Sequence, residues 1–413
     1  MFRKLMTLDE ARSTINMHFK PKPLGEEDVA LLEAYNRVLK ENVVSKQDIP
    51  PFNRSTVDGY AVKAQNTFGA DENQPVSLKI VGVVNIGEQP NVALNEGETA
   101  EIVTGAPIPK GADAVVMVED TEREDDNLKV FTSVTLNENV MKKGSDIKAG
   151  ETVLREGQVL GASEIGVLAA LGLTKAKAYK PPMVAVLSTG GEITEPGKPL
   201  PAGKIYDINA FSLCTAVIES GGKPVYFGVV PDDKEALTKT LQTALASADI
   251  VITSGGVSVG PRDFTPQIVD SLGKPGLVVY GIALKPGKPT TVAFAGEKPI
   301  FSLPGHPASA LLNFYLLVRP IIQRLSGRTA SEIRSIKAFA GARMFSAKGR
   351  RTFVMVRLVL DSEKCRLVAD PVETGASGAI TTLAKADGFV EVPEDQQFID
   401  AEEEVSVKLF RNA

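Results

Sequence analysis

The sequence predicts a multi-domain protein whose central unit is a doubly wound parallel α/β domain accompanied by β-rich units. Continuous apolar runs at 183–188 and 249–254 are typical of strands that are buried on both faces. Helical patterns at 209–220, 233–247 and 264–272 alternate with such runs, which favours a parallel sheet covered by helices. The length of 413 residues exceeds what a single hydrophobic core supports, so we expect about three or four units.

The N-terminal stretch shows helical signals. Thr7 followed by Glu10 has the spacing of a capping box and predicts a helix over 7–19. The apolar spacing predicts a second helix over about 26–39.

A β-rich segment interrupts this N-terminal unit. From about 75 to 140 the chain has short alternating strands separated by turn residues. Residues 145–180, with a turn, a short strand and a helix, are again similar to the N-terminal stretch. We therefore expect 1–50 and 145–180 to form one unit and 51–144 to be a domain inserted into it.

The remaining chain divides into the α/β domain, 181–327, and a separate all-β unit, 328–413. The α/β domain is expected to end in a long helix from Ala308 to about Leu325. Further strands are predicted at 277–282, 290–295, 299–303, 352–360, 366–370 and 404–409.

Composition excludes several classes of function. The net charge of −5 and the pI near 5.5 argue against a nucleic-acid binder, which would carry a basic stripe. No apolar run reaches the length of a membrane span, and the first residues lack a signal peptide, so we expect no membrane association. Two distant cysteines, Cys214 and Cys365, cannot build a disulfide framework and favour a reducing cytoplasm. With only His18 and His306, a multi-histidine zinc site is excluded.

Ligands of open parallel sheets bind at the carboxyl ends of the strands, so the loops after each strand hold the candidate residues. These residues are Thr189, Gly190, Glu192, Asp232, Ser254, Gly255, Gly256, Ser258, Asp263, Lys285, Lys288, Pro304 and Pro307.

The glycine-rich loop after the strand at 249–254 gives the clearest functional signal. Glycines directly after a buried strand let backbone amides approach a phosphate or carboxylate. The carboxylates Glu192, Asp232 and Asp263 have no Cys or His partners, which suits Mg²⁺ bridged to phosphate oxygens. The other loops have ordinary structural alternatives. Asp232 or its neighbour can cap a helix, a loop lysine is usually solvated, and Pro307 can open the last helix.

Two polar turns lie outside the α/β domain. One contains Asp58 and the other begins at Thr104. Taken alone, each is a turn with a structural role.

Taken together, eight short motifs resemble the molybdopterin molybdenumtransferases, the family that includes the bacterial molybdenum-insertion protein and the C-terminal domain of gephyrin. They occur in the family's order and cover almost the whole chain. The motifs are STVDGY (55–60), TGAP (104–107), KGSDI (143–147), STGGE (188–192), SGGVSVG (254–260), LKPGKP (284–289), LPGHP (303–307) and SG (377–378).

The resemblance implies an elongated N-terminal unit, the inserted β domain, a molybdopterin-binding α/β domain and a β-barrel-like tail. It implies a cytoplasmic homodimer with sites shared between subunits. The implied reaction takes adenylylated molybdopterin and molybdate, inserts molybdenum at the dithiolene and releases AMP in the presence of Mg²⁺. The pathway's adenylyltransferase is a candidate partner.

The resemblance also implies roles for individual residues. The implied catalytic residues are Lys285, Lys288, Asp58, Thr104 and Glu192. The implied substrate-binding residues are Thr189, Gly190, Ser254, Gly255, Gly256, Ser258, Asp232, Asp263, Asp146, Pro304, Pro307, Arg350 and Ser377. Glu192, Asp232 and Asp263 are assigned either to Mg²⁺ or to donor N–H groups of the pterin.

Three positions depart from the family pattern. Gly191 stands where the family commonly has Asp, His306 replaces the Asn of a Pro-Gly-Asn-Pro turn, and Gly281 stands where some members have a basic residue. These changes fit either a different oxyanion, such as tungstate, or simple drift. Two other functions also remain open: adenylyl transfer onto molybdopterin, and a non-catalytic scaffold of the gephyrin kind.

Overall fold

A computed structural model describes residues 5–257, 264–329, 334–372 and 380–410 of the chain. Three predicted site residues, Ser258, Asp263 and Ser377, lie outside these ranges. None of the described helices is both long and apolar enough to cross a membrane.

Residues 5–180 form two intertwined parts. The helices are α1 (Leu8–His18) and α2 (Ala162–Ala170), with 3₁₀ turns at Leu31–Glu33, Ala64–Thr67 and Val118–Asp120. The strands are β1 (Glu26–Ala30), β2 (Val43–Val44), β3 (Arg54–Ser55), β4 (Gly59–Val62), β5 (Val76–Val84), β6 (Glu98–Ile102), β7 (Ala114–Met117), β8 (Thr121–Glu124), β9 (Asn127–Val130), β10 (Val140–Met141), β11 (Thr152–Leu154) and β12 (Lys175–Tyr179).

The capping box at the start of α1 is present as predicted. The Glu10 amide donates to the Thr7 hydroxyl oxygen at 3.1 Å, and the Thr7 amide donates to the Glu10 carboxylate at 2.8 Å.

The predicted helix over 26–39 is wrong. Its first five residues form strand β1, which pairs antiparallel with β12 almost 150 residues later in the chain. Likewise β2 pairs with β11. Backbone pairing with a distant segment therefore overrides the local helical pattern, and it joins the two flanks of the insertion. The insertion itself contains a six-stranded sheet in the order β7-β4-β6-β5-β9-β8.

The α/β part begins at β13. Its strands are β13 (Met183–Thr189), β14 (Ile193–Thr194), β15 (Ile205–Tyr206), β16 (Lys223–Val230), β17 (Ile250–Ser254), β18 (Pro275–Tyr280), β19 (Leu284–Lys285), β20 (Thr291–Ala295) and β21 (Lys298–Leu303). Its helices are α3 (Asn209–Glu219), α4 (Lys234–Ser247), α5 (Thr265–Ser271), α6 (Pro307–Asn313) and α7 (Arg319–Leu325), with a π-helical turn at Phe314–Val318 between the last two.

The central sheet has the order β16-β13-β17-β21-β20-β18. The first four strands are mutually parallel, whereas β20 is antiparallel to both of its neighbours. Alternate side chains of β13 enter two different cores. Val184 and Val186 pack with α3, α6 and α7, and Ala185 and Leu187 pack with α4 and α5. Helices on both faces confirm the doubly wound architecture.

The C-terminal part is a closed five-stranded barrel, which confirms the barrel-like tail. Its elements are β22 (Ser335–Ala340), β23 (Met344–Phe345), β24 (Arg351–Asp361), β25 (Arg366–Pro371), α8 (Ile380–Lys385), β26 (Gly388–Val392), β27 (Phe398–Ile399) and β28 (Glu404–Leu409). The barrel closes in the order β24-β25-β22-β28-β26, since β26 also pairs with β24. The short strand β19 of the α/β part adds to its edge beside β24.

Candidate functional site

A cavity of about 730 Å³ lies at the carboxyl ends of β13, β17 and β21, where the topology predicts a ligand site. The loops after these strands, the end of β16 and the start of α3 surround it. Of the predicted site residues, it is lined by Thr189, Gly190, Glu192, Asp232, Ser254, Gly255, Gly256, Pro304 and Pro307.

The glycine loop after β17 packs too closely against β13 for any side chain. Gly255 and Gly256 have φ values of +89° and +64°, a region that favours glycine. A Cβ atom on Gly255 would lie 2.3 Å from the Thr189 carbonyl oxygen, and one on Gly256 would lie 2.7 Å from the Thr189 hydroxyl oxygen. The expectation that the Gly255 amide binds a ligand is wrong. The Gly255 amide donates to the Leu303 carbonyl at 3.1 Å, so it holds the loop rather than a ligand.

Two carboxylates reach the cavity from neighbouring loops. The Gly191 amide donates to Asp232 at 3.0 Å, and Glu192 folds back so that a Cβ on Gly190 would lie 2.8 Å from its carboxylate oxygen. Both acidic residues are exposed to solvent. Among the described residues no group of three acidic, His or Cys side chains is placed to hold a metal, and Asp263 lies outside them.

A buried polar layer lies beneath these loops, and the sequence analysis missed it. Asp207 and Asn209, at the start of α3, line the cavity and are 3% and 8% exposed. The Ser188 hydroxyl donates to Asp207 at 2.9 Å. The Asn209 amide group donates to the Ser254 hydroxyl oxygen and to the Gly305 carbonyl, both at 2.7 Å. Asn209 thus ties the end of β17 to the turn after β21.

The sequence contained a signal for part of this layer. The Ala210 amide donates to the Asp207 carboxylate at 3.1 Å, and Asp three positions before an amide of the first helical turn is a capping pattern. The contacts of Asn209, in contrast, link residues that are 45 and 96 positions apart.

The surroundings of Asp207 shift the pKa values of two neighbours upward. Burial, with the Asp207 charge nearby, raises the pKa of the Cys214 thiol to about 11. Burial also raises the pKa of the Tyr226 hydroxyl, which donates to Asp207 at 3.3 Å. Cys214 and Cys365 are both free thiols. Near neutral pH Cys214 is a protonated, unreactive thiol.

Neither predicted lysine lines the cavity. Lys285 is exposed and lies on β19, and Lys288 is half-buried three residues later, next to Pro289 of the cavity wall. Strand β19 pairs with β24 in the register Leu284 to Arg351. The predicted residue Arg350 directly precedes β24, the barrel strand that pairs with the strand carrying Lys285.

The structure brings Asp58 and Thr104 together within the insertion. The Thr104 amide and hydroxyl donate to one oxygen of the Asp58 carboxylate at 2.6 and 2.9 Å. The bond from the Thr104 amide is the main reason that the pKa of Asp58 lies below its ordinary value. No described lining residue of the cavity comes from 51–144. Asp146 lies elsewhere, in an exposed turn. Its backbone amide donates to the Ile49 carbonyl at 3.0 Å.

Comparisons with known proteins cover nearly the whole chain. Residues 6–172 match the family model of the MoeA N-terminal region (domain I and II), 185–324 match the "probable molybdopterin binding domain", and 337–410 match the MoeA C-terminal region (domain IV). A molybdopterin molybdenumtransferase of Nostoc is 34% identical over 97% of this chain and 93% of its own length. The chain belongs to the MoeA family.

Other relatives agree with this membership. A molybdopterin molybdenumtransferase of Haemophilus influenzae is 33% identical over 99% of both chains. A crystal structure of a MoeA protein from Pyrococcus horikoshii, 42% identical, matches with a TM-score of 0.79 over 99% of this chain and 100% of its own. The chain is therefore an enzyme of molybdenum cofactor biosynthesis.

The three departures noted in the sequence have clear positions in this MoeA chain. The Gly191 amide fixes Asp232. His306 is exposed at the cavity and precedes α6 as its N-cap residue. Gly281 has a φ of +80°, and its amide donates to the Thr290 carbonyl at 3.0 Å. The positive φ favours glycine at that position.

Proposed function

We propose that this MoeA chain inserts molybdenum from molybdate into adenylylated molybdopterin and releases AMP. The observation that carries the proposal is the cavity at the sheet edge, in which a glycine loop and two exposed carboxylates meet, in a chain that matches molybdopterin molybdenumtransferases from end to end. Molybdate and adenylylated molybdopterin are the substrates.

The charges of the substrates indicate different roles for the lysines and for the carboxylates. Molybdate and the phosphates of the substrate are anionic. Lys285 and Lys288 lie outside the cavity lining, so they would supply positive charge to the part of the substrates that extends beyond the cavity. Glu192 and Asp232 would repel the same anions unless a cation lies between them.

The two carboxylates fit a magnesium site. Mg²⁺ is commonly bound by one or two carboxylates together with substrate phosphates, and Glu192 and Asp232 are exposed oxygen donors on adjacent loops. When bound, the ion would neutralise phosphate charge. Asp263 is the third proposed ligand. The second assignment is that these carboxylates accept N–H groups of the pterin.

No activated protein nucleophile is required. An oxygen atom of water or of molybdate attacks the phosphorus on the pterin side of the anhydride, the bridging P–O bond breaks, and AMP leaves with the bridging oxygen. Attack by water leaves molybdopterin phosphate directly, whereas attack by molybdate leaves a phosphate–molybdate anhydride that water then hydrolyses. Molybdate exchanges one oxygen for the two dithiolene sulfurs, and that oxygen leaves as water with the two thiol protons. The residues of this chain hold the charges in place. Thr189, Gly190, Ser254 and Gly256 shape the cavity, and Pro304 and Pro307 fix the turn that closes one side of it.

We also propose that the complete site combines two subunits of a cytoplasmic homodimer. Asp58 and Thr104 form a defined polar pair on the insertion, far along the chain from the cavity loops. A neighbouring subunit's cavity would use this pair, and two-fold symmetry would make two such sites. Arg350, Asp146, Ser258 and Ser377 are assigned to substrate binding in the same site. The pathway's adenylyltransferase would supply the adenylylated substrate.

The decisive experiment incubates the protein with adenylylated molybdopterin and Mg²⁺, with and without molybdate, and measures AMP. We expect molybdate-dependent AMP release. In a parallel incubation with molybdopterin and ATP, release of pyrophosphate would instead indicate an adenylyltransferase. Faster reaction with tungstate than with molybdate would indicate a tungsten-specific enzyme. Absence of every reaction would leave the scaffold function.

The shared site has a separate test. Asp58→Ala and Lys285→Ala chains, each inactive, are mixed under conditions of subunit exchange. A heterodimer then holds one site with both native residues, so activity returns toward about half of wild type per heterodimer. If mass spectrometry shows heterodimers and the mixture stays inactive, the shared site is wrong.

A further inference from the structure

The segment that carries Lys285 is held from both sides by other parts of the chain. The Ala283 amide donates to the Met6 carbonyl at 2.7 Å, and the Arg351 amide donates to the Ala283 carbonyl at 3.0 Å. The Met6 amide also donates to the Gly281 carbonyl at 3.3 Å. Residues 281–285 are thus the middle strand between the N-terminal segment and the barrel strand β24.

The Arg351 side chain connects the two outer partners of this middle strand. Its guanidinium donates to Asp9 of helix α1 at 2.8 Å and to Glu394 of the barrel at 2.9 and 3.2 Å. It also pairs with Glu391 of β26 at 3.3 Å. Only 16% of the Arg351 side chain is exposed, and Glu391 and Glu394 are 24% and 35% exposed, so these two pairs are less screened than a surface pair. Asp9 is 64% exposed and is the most weakly held partner.

We propose that Arg351 is a positioning residue, whose bonds to Asp9, Glu391 and Glu394 clamp the barrel and the N-terminal helix around β19 and so fix Lys285 for the reaction. This inference rests on the proposed function, because Lys285 must act on the substrate for its position to matter.

The chemistry of arginine explains why this residue suits the clamp. A planar guanidinium presents five donors in a rigid fork and can engage several carboxylates at once. Its hydrogen bonds to Glu394 raise the pKa of Arg351, and the same contact lowers the pKa of Glu394, so both groups are charged near neutral pH. Without the Arg351 cation, Glu391 keeps its bond to Lys408 at 2.5 Å and Asp9 keeps its pair with Arg12 at 4.0 Å, but nothing with a positive charge then joins Asp9 to Glu394. The contact with α1 then opens first, because Asp9 is the most exposed of the three acidic partners.

The barrel offers a matched control in Arg366. This arginine is 18% exposed, pairs with Asp361 and Glu402, and lies over the Phe339 ring at 4.4 Å. It has the same charge, similar burial and acidic partners, but its side-chain contacts stay within the barrel. Loss of Arg366 therefore tests stability without loosening β19.

The experiment compares Arg351→Gln, Arg351→Lys and Arg366→Gln by amide hydrogen exchange and by molybdate-dependent AMP release. In Arg351→Gln we expect exchange at 281–285 to accelerate about tenfold or more and kcat to fall about tenfold, because small misplacement of a catalytic group is costly. Arg351→Lys should restore part of both. Arg366→Gln should leave exchange at 281–285 and kcat within about twofold of wild type, as expected for a site with no shared partners.

Asp9→Asn provides a second, milder variant if Arg351→Gln fails to fold, since it removes only the contact with α1. It should accelerate exchange at 281–285 in the same direction. Unchanged exchange in both variants overturns the clamp. Faster exchange with wild-type kcat overturns the role in positioning Lys285. Hydrogen exchange needs no substrate, so it tests the clamp independently of the reaction. If the wild-type protein releases no AMP, the proposed function is wrong, but the exchange rates at 281–285 still show whether the clamp exists.

Discussion

The cavity loops and the Lys285 segment are held in place in different ways. Beneath the cavity, buried side chains of the α/β part bond to one another, as in the contacts of Asp207 with Ser188 and of Asn209 with Ser254. The Lys285 segment is held by backbone pairing with Met6 and Arg351, which belong to the two ends of the chain.

This difference indicates which parts of the site depend on the whole molecule. The cavity floor needs only elements of the α/β part, all within 183–329. The position of Lys285 requires that the N-terminal segment and the barrel are both docked. Four predictions test these two regions and the Asp58 turn of the insertion, and the expected effects decrease from one to the next.

The largest effect is expected for Lys285→Ala. If this lysine stabilises the anionic transition state, its loss lowers turnover by about 100-fold or more, typical of removing one preorganised charge stabiliser. Stability should hardly change, because the side chain is exposed. The matched control is Lys239→Ala, which removes an exposed lysine from α4. Turnover and melting temperature are measured for both, and wild-type turnover in Lys285→Ala contradicts the assignment.

The carboxylates of the cavity should control the metal requirement. Glu192→Gln and Asp232→Asn are expected to raise the Mg²⁺ concentration for half-maximal AMP release by about tenfold, a change typical of lost metal-site interactions. Asp233→Asn is the control, because Asp233 only caps α4 through the Ala236 amide at 2.8 Å and Asn caps equally well. Full activity of the wild type after exhaustive EDTA treatment excludes the metal.

Asn209→Ala should destabilise the cavity floor. It removes one buried hydrogen bond, to Ser254, and one partly buried hydrogen bond, to the Gly305 carbonyl, so we expect the free energy of unfolding to fall by about 1–3 kcal/mol. Thr215→Ala, on the exposed side of the same helix, should change it by less than about 0.5 kcal/mol. Urea unfolding measures both. If the free energy of unfolding changes equally in the two variants, the buried polar layer beneath the cavity adds no more stability than an exposed side-chain hydrogen bond of the same helix.

The smallest effect concerns pH and Asp58. Bonds from Thr104 hold the pKa of Asp58 below its ordinary value of 3.8. A carboxyl with a depressed folded-state pKa contributes stability that is present above pH 3.8 and disappears as the pH falls through the folded pKa. The stability difference between wild type and Asp58→Asn should therefore be constant above about pH 4 and shrink below it. Unfolding free energies measured from pH 3 to 7 provide the test, and a difference that grows on acidification contradicts it.

Short-range signals in the sequence predicted much of the fold correctly. Thr7 and Glu10 marked the first helix, and the alternation of apolar runs with helical patterns identified the doubly wound sheet. The rule that ligands bind at carboxyl ends of parallel strands selected nine of the residues that line the cavity. All of these signals depend on residues close together in the chain or on a general property of the fold.

Local patterns and motifs therefore predicted the fold class, the family and many of the local elements, but not the strand at 26–30. Tertiary structure alone decided that 26–30 is a strand, because its partner β12 lies far along the chain. It also decided that Asn209 joins two loops and that Arg351 closes around the Lys285 segment. In each case the energy comes from bonds between residues separated by tens to hundreds of positions, and a local pattern carries no record of such partners.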